Sequence, residues 1–319
     1  MWIFTCFLFS LSLCATESES LHHFKEVWAY VMQGEEQHLK GTEPITDIAY
    51  FSAKVNAIGR VDSLISISKI PEKVRAGKKI HLVISAPGNH SLMYWCLSKD
   101  TETRDSLIGD IIRVGTPFDG VQIDFETIRP EDQEGYLTFL KLLRASLPKE
   151  KTLTVAVPAR TKELEKDAFR YKDIANIADQ IVIMAYDEHW RTGAPGAIAS
   201  LNWCDKVLSF AKLEFPKAKL IMGIPLYGRA WQKQEHARAL KYPQTLELWE
   251  KYKTPLQRDP DGTASFEYKE VVEAVVYFEN EHSLCKKLSL YETKDVDSIA
   301  FWRVSQEPAA LWKHLSIQK

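Results

Sequence analysis

Polar side chains alternate along the segment 118-FDGVQIDFE-126. If this segment is a β-strand, Gly120, Gln122, Asp124 and Glu126 lie on one face, because successive side chains point to opposite sides of a strand. Two carboxylates at positions i and i+2 then stand ~7 Å apart or less. Their like charges raise the pKa of one of them, so that one carboxyl holds a proton near neutral pH. A protonated carboxyl beside an anionic one is the pair that general-acid cleavage of a glycosidic bond requires.

The same three polar side chains also have a structural interpretation, as a hydrogen-bonded polar layer inside a barrel. Buried polar groups are costly unless they are paired or used. The carboxylates fall where the strand ends, and in barrels of parallel strands the active site lies at that end. The position therefore favours catalysis over a structural layer.

Eight short apolar runs along the chain alternate with amphipathic segments, for which helices are predicted over 131–147 and 203–215. This order predicts an α/β fold, a (β/α)8 TIM barrel, with an open doubly wound sheet as the alternative. A glycine-rich dinucleotide loop, common in open sheets, follows none of the runs. The stretch 232–297 predicts a modest insertion between strands 7 and 8. The predicted strands are 27–32, 47–53, 80–85, 120–125, 152–157, 180–186, 219–227 and 298–302.

Three further motifs follow the carboxylate segment in the order 184-MAYDEHW-190, 222-MGIPLYGRAW-231 and 299-IAFWRVSQE-307. The four segments together resemble the motifs of glycoside hydrolase family 18. In its signature Asp-x-x-Asp-x-Asp-x-Glu, Asp119, Asp124 and Glu126 stand in place, and Gln122 replaces the second aspartate. The likeness runs from about residue 27 to the C-terminus. Within the family, the chain most resembles the bacterial spore-cortex-lytic N-acetylglucosaminidases.

This resemblance implies cleavage of β-linked N-acetylglucosamine glycans, of the peptidoglycan or chitin type, by substrate-assisted retaining catalysis. Glu126 is then the general acid, Asp124 orients the acetamido N–H, and Tyr186 donates to the acetamido oxygen. Asp124 is also expected to be the anion that raises the pKa of Glu126. Trp302 offers a flat floor for a sugar ring. The further expected substrate-binding residues are Asp119, Gln122, Met184, Asp187, Tyr227 and Arg229.

Several of these residues have other interpretations. Tyr186 and Trp302 could instead fill the barrel core, and Arg229 could belong to a structural ion pair. The run 187-DEH-189 suggests a metal site only weakly, because consecutive side chains diverge. No metal or cofactor is expected.

Two other classes of protein compete with a glycosidase. A non-catalytic chitinase-like glycan-binding lectin would share the barrel, but such lectins typically lack the acid glutamate, which is present here as Glu126. A lyase or aldolase would need a metal cluster or a Schiff-base lysine at a strand end. The sequence offers neither, and a glycosidase is favoured.

The remaining predictions concern the ends and the surface of the chain. Residues 1–16 predict a signal peptide, with Cys14 as a candidate lipid-attachment site, and residues 17–319 predict one catalytic domain of a secreted, periplasmic or cell-envelope protein. The net charge of −2 argues against nucleic acid as a partner. No stable membrane span and a monomer are expected. Cys96, Cys204 and Cys285 predict either three buried thiols or one disulfide and a free thiol.

Overall fold

Eight parallel strands close into a barrel in the order β8-β1-β2-β3-β4-β5-β6-β7. The computed structural model describes residues 20–62, 66–86, 88–99, 102–232, 241–258, 260 and 263–318, so the predicted signal peptide and Cys14 lie outside the described residues. The eight predicted strands are all present, and the predicted TIM barrel is confirmed. The strands are β1 (Glu26–Met32), β2 (Asp47–Lys54), β3 (Lys79–Ser85), β4 (Gly120–Asp124), β5 (Thr152–Pro158), β6 (Gln180–Met184), β7 (Leu220–Pro225) and β8 (Ser298–Trp302).

Alternation along each strand divides the apolar side chains between two clusters. Outward side chains such as Val121, Ile123 and Phe125 pack under the helices, and the ring of Phe125 stacks on that of Phe139 at 5.5 Å between centroids. A smaller cluster fills the barrel interior with Trp28, Tyr30, Ala49, Val83, Val182, Ile221 and Ala300. The polar side chains of β4 also point into the barrel, where they lie next to the apolar side chains of this inner cluster.

Helices follow most strands and cover the barrel. They are α1 (Glu72–Arg75), α2 (His90–Leu97), α3 (Glu102–Gly115), α4 (Gln133–Ser146), α5 (Tyr171–Ala175), α6 (Leu201–Glu214), α7 (Tyr242–Tyr252) and α8 (Glu281–Thr293). The helices predicted over 131–147 and 203–215 correspond to α4 and α6. Short 3-10 turns occupy Glu36–His38, Ile67–Lys69, Pro130–Asp132, Lys217–Lys219 and Leu311–His314.

The longest excursion from the barrel lies between β7 and β8, where the sequence predicts an insertion. Strand Gly228–Gln232 pairs antiparallel with Ala274–Phe278, and α7 and the small hairpin of Gln257–Arg258 with Ala264–Ser265 lie between them. Strands His22–Phe24 and Leu315–Ile317 pair in parallel and bring the two ends of the described chain together.

The described residues bear on three further features, which are membrane spans, cysteine pairing and metal-ligating clusters. None of the described helices combines the length and hydrophobicity that crossing a bilayer requires. Cys96, Cys204 and Cys285 form no disulfide among the described residues; Cys96 and Cys204 are buried, as predicted, whereas Cys285 is half-buried. A cluster of three or more metal-ligating side chains is not found in those ranges.

Candidate active site

A cavity of about 520 Å³ opens at the carboxyl ends of the barrel strands. Every barrel strand from β4 to β8 contributes a residue at its end or just beyond it, and β1 contributes Tyr30, two residues before its end. The walls are both aromatic and acidic, as a site that binds a sugar and moves a proton requires. The lining residues are Tyr30, Asp124, Glu126, Ala156, Pro158, Ala159, Met184, Tyr186, Asp187, Trp190, Trp203, Tyr227 and Trp302.

Asp124 and Glu126 reach this cavity from the end of β4. Asp124 is the last residue of the strand and is 6% exposed, whereas Glu126 stands two residues beyond it and is exposed to the cavity. Burial, and then the charge of Glu126, raise the pKa of Asp124 to about 7. Burial, and then the charge of Asp187, raise the pKa of Glu126. The like-charge pair that the sequence predicts is therefore present, and Asp187 is a second anion that acts on Glu126.

Tyr186 and Met184 line the cavity beside the carboxylates. β6 ends at Met184, and the next turn carries the Tyr186 ring inward against β7. A Cβ atom at Gly223 of β7 would lie 2.5 Å from the Ile183 carbonyl oxygen and 3.0 Å from the Tyr186 ring. The glycine of the 222–231 motif thus leaves the space that the Tyr186 ring occupies. Burial raises the pKa of Tyr186 well above its ordinary value, so its hydroxyl is a neutral donor.

Trp302 ends β8 and forms one side of the cavity. Its ring contacts Tyr30 and Phe51 edge-on, with centroids 5.1 and 5.3 Å away, and lies nearly parallel to Tyr186 at 6.5 Å. It packs on the inner cluster but stays half-buried. Trp302 therefore has both roles that the sequence left open, since it covers the barrel core and presents a flat surface to the cavity.

Asp187, Tyr227 and Arg229 meet at the cavity rim. The Tyr227 hydroxyl and the Arg229 guanidinium both donate to Asp187 Oδ1, and Arg229 lies 5.8 Å from the Tyr227 ring. Asp187 has a φ of +59°, a conformation that aspartate tolerates better than most residues. Asp187 and Tyr227 line the cavity, whereas Arg229 holds Asp187 through the ion pair that the sequence left as an alternative.

Gln122 and Asp119 do not reach the cavity. Gln122 is fully buried in the barrel below Asp124, and its Oε1 accepts a hydrogen bond of 2.6 Å from the hydroxyl of Tyr30. Asp119 precedes β4 at the opposite end of the barrel, where its Oδ2 accepts from the Ile80 N–H at 2.7 Å. Seven residues of strand put it ~20 Å from Glu126. The prediction that Asp119 binds substrate is corrected for this reason, because its side chain braces the base of β4.

The metal interpretation of 187–189 fails on geometry. Glu188 accepts hydrogen bonds from the N–H and the hydroxyl of Ser200, at 2.7 and 3.0 Å. His189 Nδ1 lies 2.9 Å from the Ala197 carbonyl oxygen. These contacts close the loop that follows β6, and both side chains are used in them.

Sequence reasoning missed three aromatic residues of the cavity, which are Tyr30, Trp190 and Trp203. Tyr30 shares the inner face of β1 with Trp28, so strand alternation could have placed it. Trp190 closes the 184–190 motif and is 62% exposed, which is unusual for a tryptophan and typical of a binding surface. Trp203 lies in α6, and its position depends on how that helix docks.

Comparison with known proteins agrees with this geometry. The model of the family "Glycosyl hydrolases family 18" matches residues 26–307. The cortical fragment-lytic enzyme of Bacillus cereus is 28% identical over 289 residues, which cover 85% of this chain and 67% of that protein. The crystal structure of the Bacillus cereus spore cortex-lytic enzyme SleL has a TM-score of 0.73 and 25% identity over 94% of this chain and 76% of that chain.

A chitinase from Chromobacterium violaceum shares the fold, with a TM-score of 0.71 and 21% identity over 91% of this chain and 97% of that chain. The likeness to spore-cortex-lytic enzymes predicted from the motifs is confirmed. The family match spans most of the chain and includes the four motifs and the cavity that they build. The chain therefore belongs to glycosyl hydrolase family 18, and it is a glycosidase.

Proposed function

We propose that this protein hydrolyses β-linked N-acetylglucosamine glycans by substrate-assisted retaining catalysis, with Glu126 as the general acid. The observation that carries the proposal is the convergence of Asp124, Glu126, Tyr186 and Trp302 on one cavity. A proton donor, a buried carboxylate, a neutral hydroxyl donor and a flat aromatic surface are the groups that this chemistry needs.

Each side chain has a defined task in the proposed reaction. A sugar ring lies on Trp302, and Glu126 protonates the glycosidic oxygen, so that the leaving sugar departs as an alcohol. The acetamido oxygen of the substrate attacks the anomeric carbon and forms a cyclic oxazolinium ion. Asp124 accepts a hydrogen bond from the acetamido N–H and balances the positive charge, and the Tyr186 hydroxyl donates to the acetamido oxygen. Glu126 then takes a proton from the water that opens the ring.

The pKa values of the two carboxyls suit this scheme. Both values are raised, that of Asp124 to about 7, so the pair keeps a proton up to near-neutral pH. Between the two titrations the pair holds one proton, which the scheme requires on Glu126 while Asp124 is anionic. The scheme therefore needs a means of placing that proton on Glu126.

The substrate is proposed to be a bacterial wall glycan of the N-acetylglucosamine type. The relatives with sequence likeness over most of this chain are named for lysis of spore cortex. The apolar run at residues 2–15 supports export by a signal peptide, to where such a glycan lies. We propose that the exported protein acts as a monomer and that Cys14 is removed with the leader or carries a lipid.

The decisive experiment compares Glu126→Gln with Glu131→Gln. Glu131 lies in the same loop after β4 but does not line the cavity. Product release from peptidoglycan and from chitooligosaccharides is followed by mass spectrometry. Glu126→Gln is expected to lose 10²–10⁴-fold in rate while still binding the glycan, because the amide cannot deliver a proton (about the range for general acids). Glu131→Gln is expected to behave as the parent protein.

A second arm of this experiment tests the nucleophile. A glycan of the same length without 2-acetamido groups is expected to remain uncleaved, since the nucleophile belongs to the sugar. Comparable cleavage of that glycan, or more than a tenth of the parent rate in Glu126→Gln, would refute the proposed mechanism.

A further inference from the structure

Three polar atoms, one of them in the carboxylate of Asp124, lie fully buried on the inner face of β4 and β5. They are Gln122 Nε2, Thr154 Oγ1 and Asp124 Oδ1, and within the described ranges none of them has a hydrogen-bond partner. Buried polar groups in folded proteins are nearly always satisfied, by protein or by an ordered water. Three such atoms in one region therefore indicate a bound group.

The strand register brings these atoms together. Gln122 of β4 and Thr154 of β5 are direct partners across the two strands. Thr154 shares its face with Ala156 and Pro158, which line the cavity, while Leu153 packs outward under the helices. Gln122 and Thr154 thus form one layer inside the barrel.

Asp124 lies one layer above Gln122, ~7 Å along the same face of β4. Continuing the register places Ala156 beside Asp124, and this small side chain leaves room next to the carboxylate. The orientation of Gln122 completes the arrangement. Its Oε1 accepts from the Tyr30 hydroxyl at 2.6 Å, so its Nε2 is the end left to donate.

We propose that Gln122 and Thr154 hold one water molecule inside the barrel, and that this water donates a hydrogen bond to Asp124 Oδ1. The water accepts from Gln122 Nε2 and exchanges a hydrogen bond with Thr154 Oγ1. It then has about three hydrogen bonds, as buried waters typically do. A donor on Oδ1 favours the anionic form of Asp124. The shared proton is thereby moved toward Glu126, where the proposed function, on which this part of the inference rests, requires it.

Other titratable groups also lie around Asp124. Glu126 is a carboxyl that titrates with it. Tyr30, Tyr136 and Tyr186 also face Asp124 electrostatically, and burial raises the pKa of each, so their hydroxyls remain neutral. The Tyr136 hydroxyl is also buried without a hydrogen-bond partner among the described residues, but Tyr136 belongs to α4, which covers the outside of the barrel. The Tyr30 hydroxyl donates to Gln122. Within this set, the amide of Gln122 and the hydroxyl of Thr154 are the groups placed in the layer directly beneath the carboxylate.

The test is Thr154→Val, which removes one hydroxyl and nearly preserves the shape of the side chain. The matched control is Thr152→Val, two residues earlier on the same face of β5 and one layer further from Asp124. Rates of chitooligosaccharide hydrolysis are measured across pH for both variants and the parent protein. Losing a hydrogen bond to the charged form raises the pKa of Asp124.

Thr154→Val is therefore expected to move the basic limb of the pH profile upward by about half a unit, and to lower the maximal rate severalfold. The rate falls because more of the shared proton stays on Asp124. Thr152→Val should leave the limb where it is. An unchanged limb in Thr154→Val, or an equal shift in the control, would overturn the inference.

A high-resolution crystal structure of the parent protein gives a second readout that needs no activity. In the parent protein we expect electron density for a water within hydrogen-bond distance of Asp124 Oδ1 and Gln122 Nε2. In Thr154→Val we expect this water to be lost or displaced. Absence of that density in the parent would refute the water even if hydrolysis stands. If the parent protein shows electron density for this water but cleaves no N-acetylglucosamine glycan, the water is supported and the proposed function is refuted.

Discussion

The pH dependence of the reaction can be worked out from the two carboxyls. The pKa of Asp124 is raised to about 7, so we expect the pair of Asp124 and Glu126 to lose its last proton near that pH. Above that pH the pair holds no proton, so Glu126 has none to give to the leaving group. The fraction of protein that still carries one proton then falls about tenfold for each pH unit. We expect kcat/KM at pH 8 to be roughly a tenth of its plateau value and at pH 9 about a hundredth.

The assay must not depend on a titrating reporter group. Hydrolysis of an unlabelled chitooligosaccharide is stopped at fixed times, and products are quantified by chromatography from pH 5 to 9. Circular dichroism over the same range confirms that the fold persists. A kcat/KM that stays flat between pH 7 and 9 would refute the assignment of the last proton to this pair.

Three further predictions follow from the site. Asp187→Asn removes the anion that raises the pKa of Glu126, so the acidic limb of the pH–rate profile should move to lower pH and the maximal rate should fall. An acidic limb that does not move would show that Asp187 does not raise the pKa of Glu126. Gly223→Ala places a Cβ 2.5 Å from the Ile183 carbonyl oxygen and 3.0 Å from the Tyr186 ring. We expect a lower temperature of thermal unfolding and a lower kcat, because the tyrosine is displaced. The control Gly109→Ala, where a Cβ meets nothing within 4 Å, should be tolerated. Asp124→Asn and Tyr186→Phe should be strongly non-additive in log kcat, because both side chains are proposed to hold one acetamido group; simple addition of the two losses would mean that they act independently.

Local rules were sufficient for the fold and for the two carboxylates. Each barrel strand is an apolar run bounded by polar residues, and alternation along β4 places Asp124 at the inner face of the barrel mouth. The same alternation places Met184 beside it, and the turn that follows β6 brings Tyr186 to the same cavity. These positions depend only on the direction of a strand and on the end at which it stops.

The electrostatics of the site depend on contacts that no local pattern encodes. Asp187 is held by Arg229, which lies 42 residues later in the insertion after β7, and its backbone takes a positive φ. Sequence reasoning therefore found Asp124, the closest carboxylate in the chain, as the charge beside Glu126 and missed the charge of Asp187. Asp119 was misplaced for a different reason. The family motif spans the whole of β4, and the two ends of that strand lie at opposite ends of the barrel. A residue at the start of the motif is therefore far from the cavity at its end.

The amide at position 122 connects these observations. In the family signature a carboxyl stands there, and a third carboxyl below Asp124 could share protons with it. Gln122 can only donate or accept hydrogen bonds, and its acceptor atom is taken by Tyr30. Proton sharing is thus confined to Asp124 and Glu126, and burial raises the pKa of both, with the charge of Glu126 adding to the first and the charge of Asp187 adding to the second. Which of the two carboxyls carries the catalytic proton then depends on the hydrogen bond that the proposed water donates to Asp124 and on the negative charge of Asp187 at the rim. Each can be altered by a substitution that leaves both Asp124 and Glu126 in place.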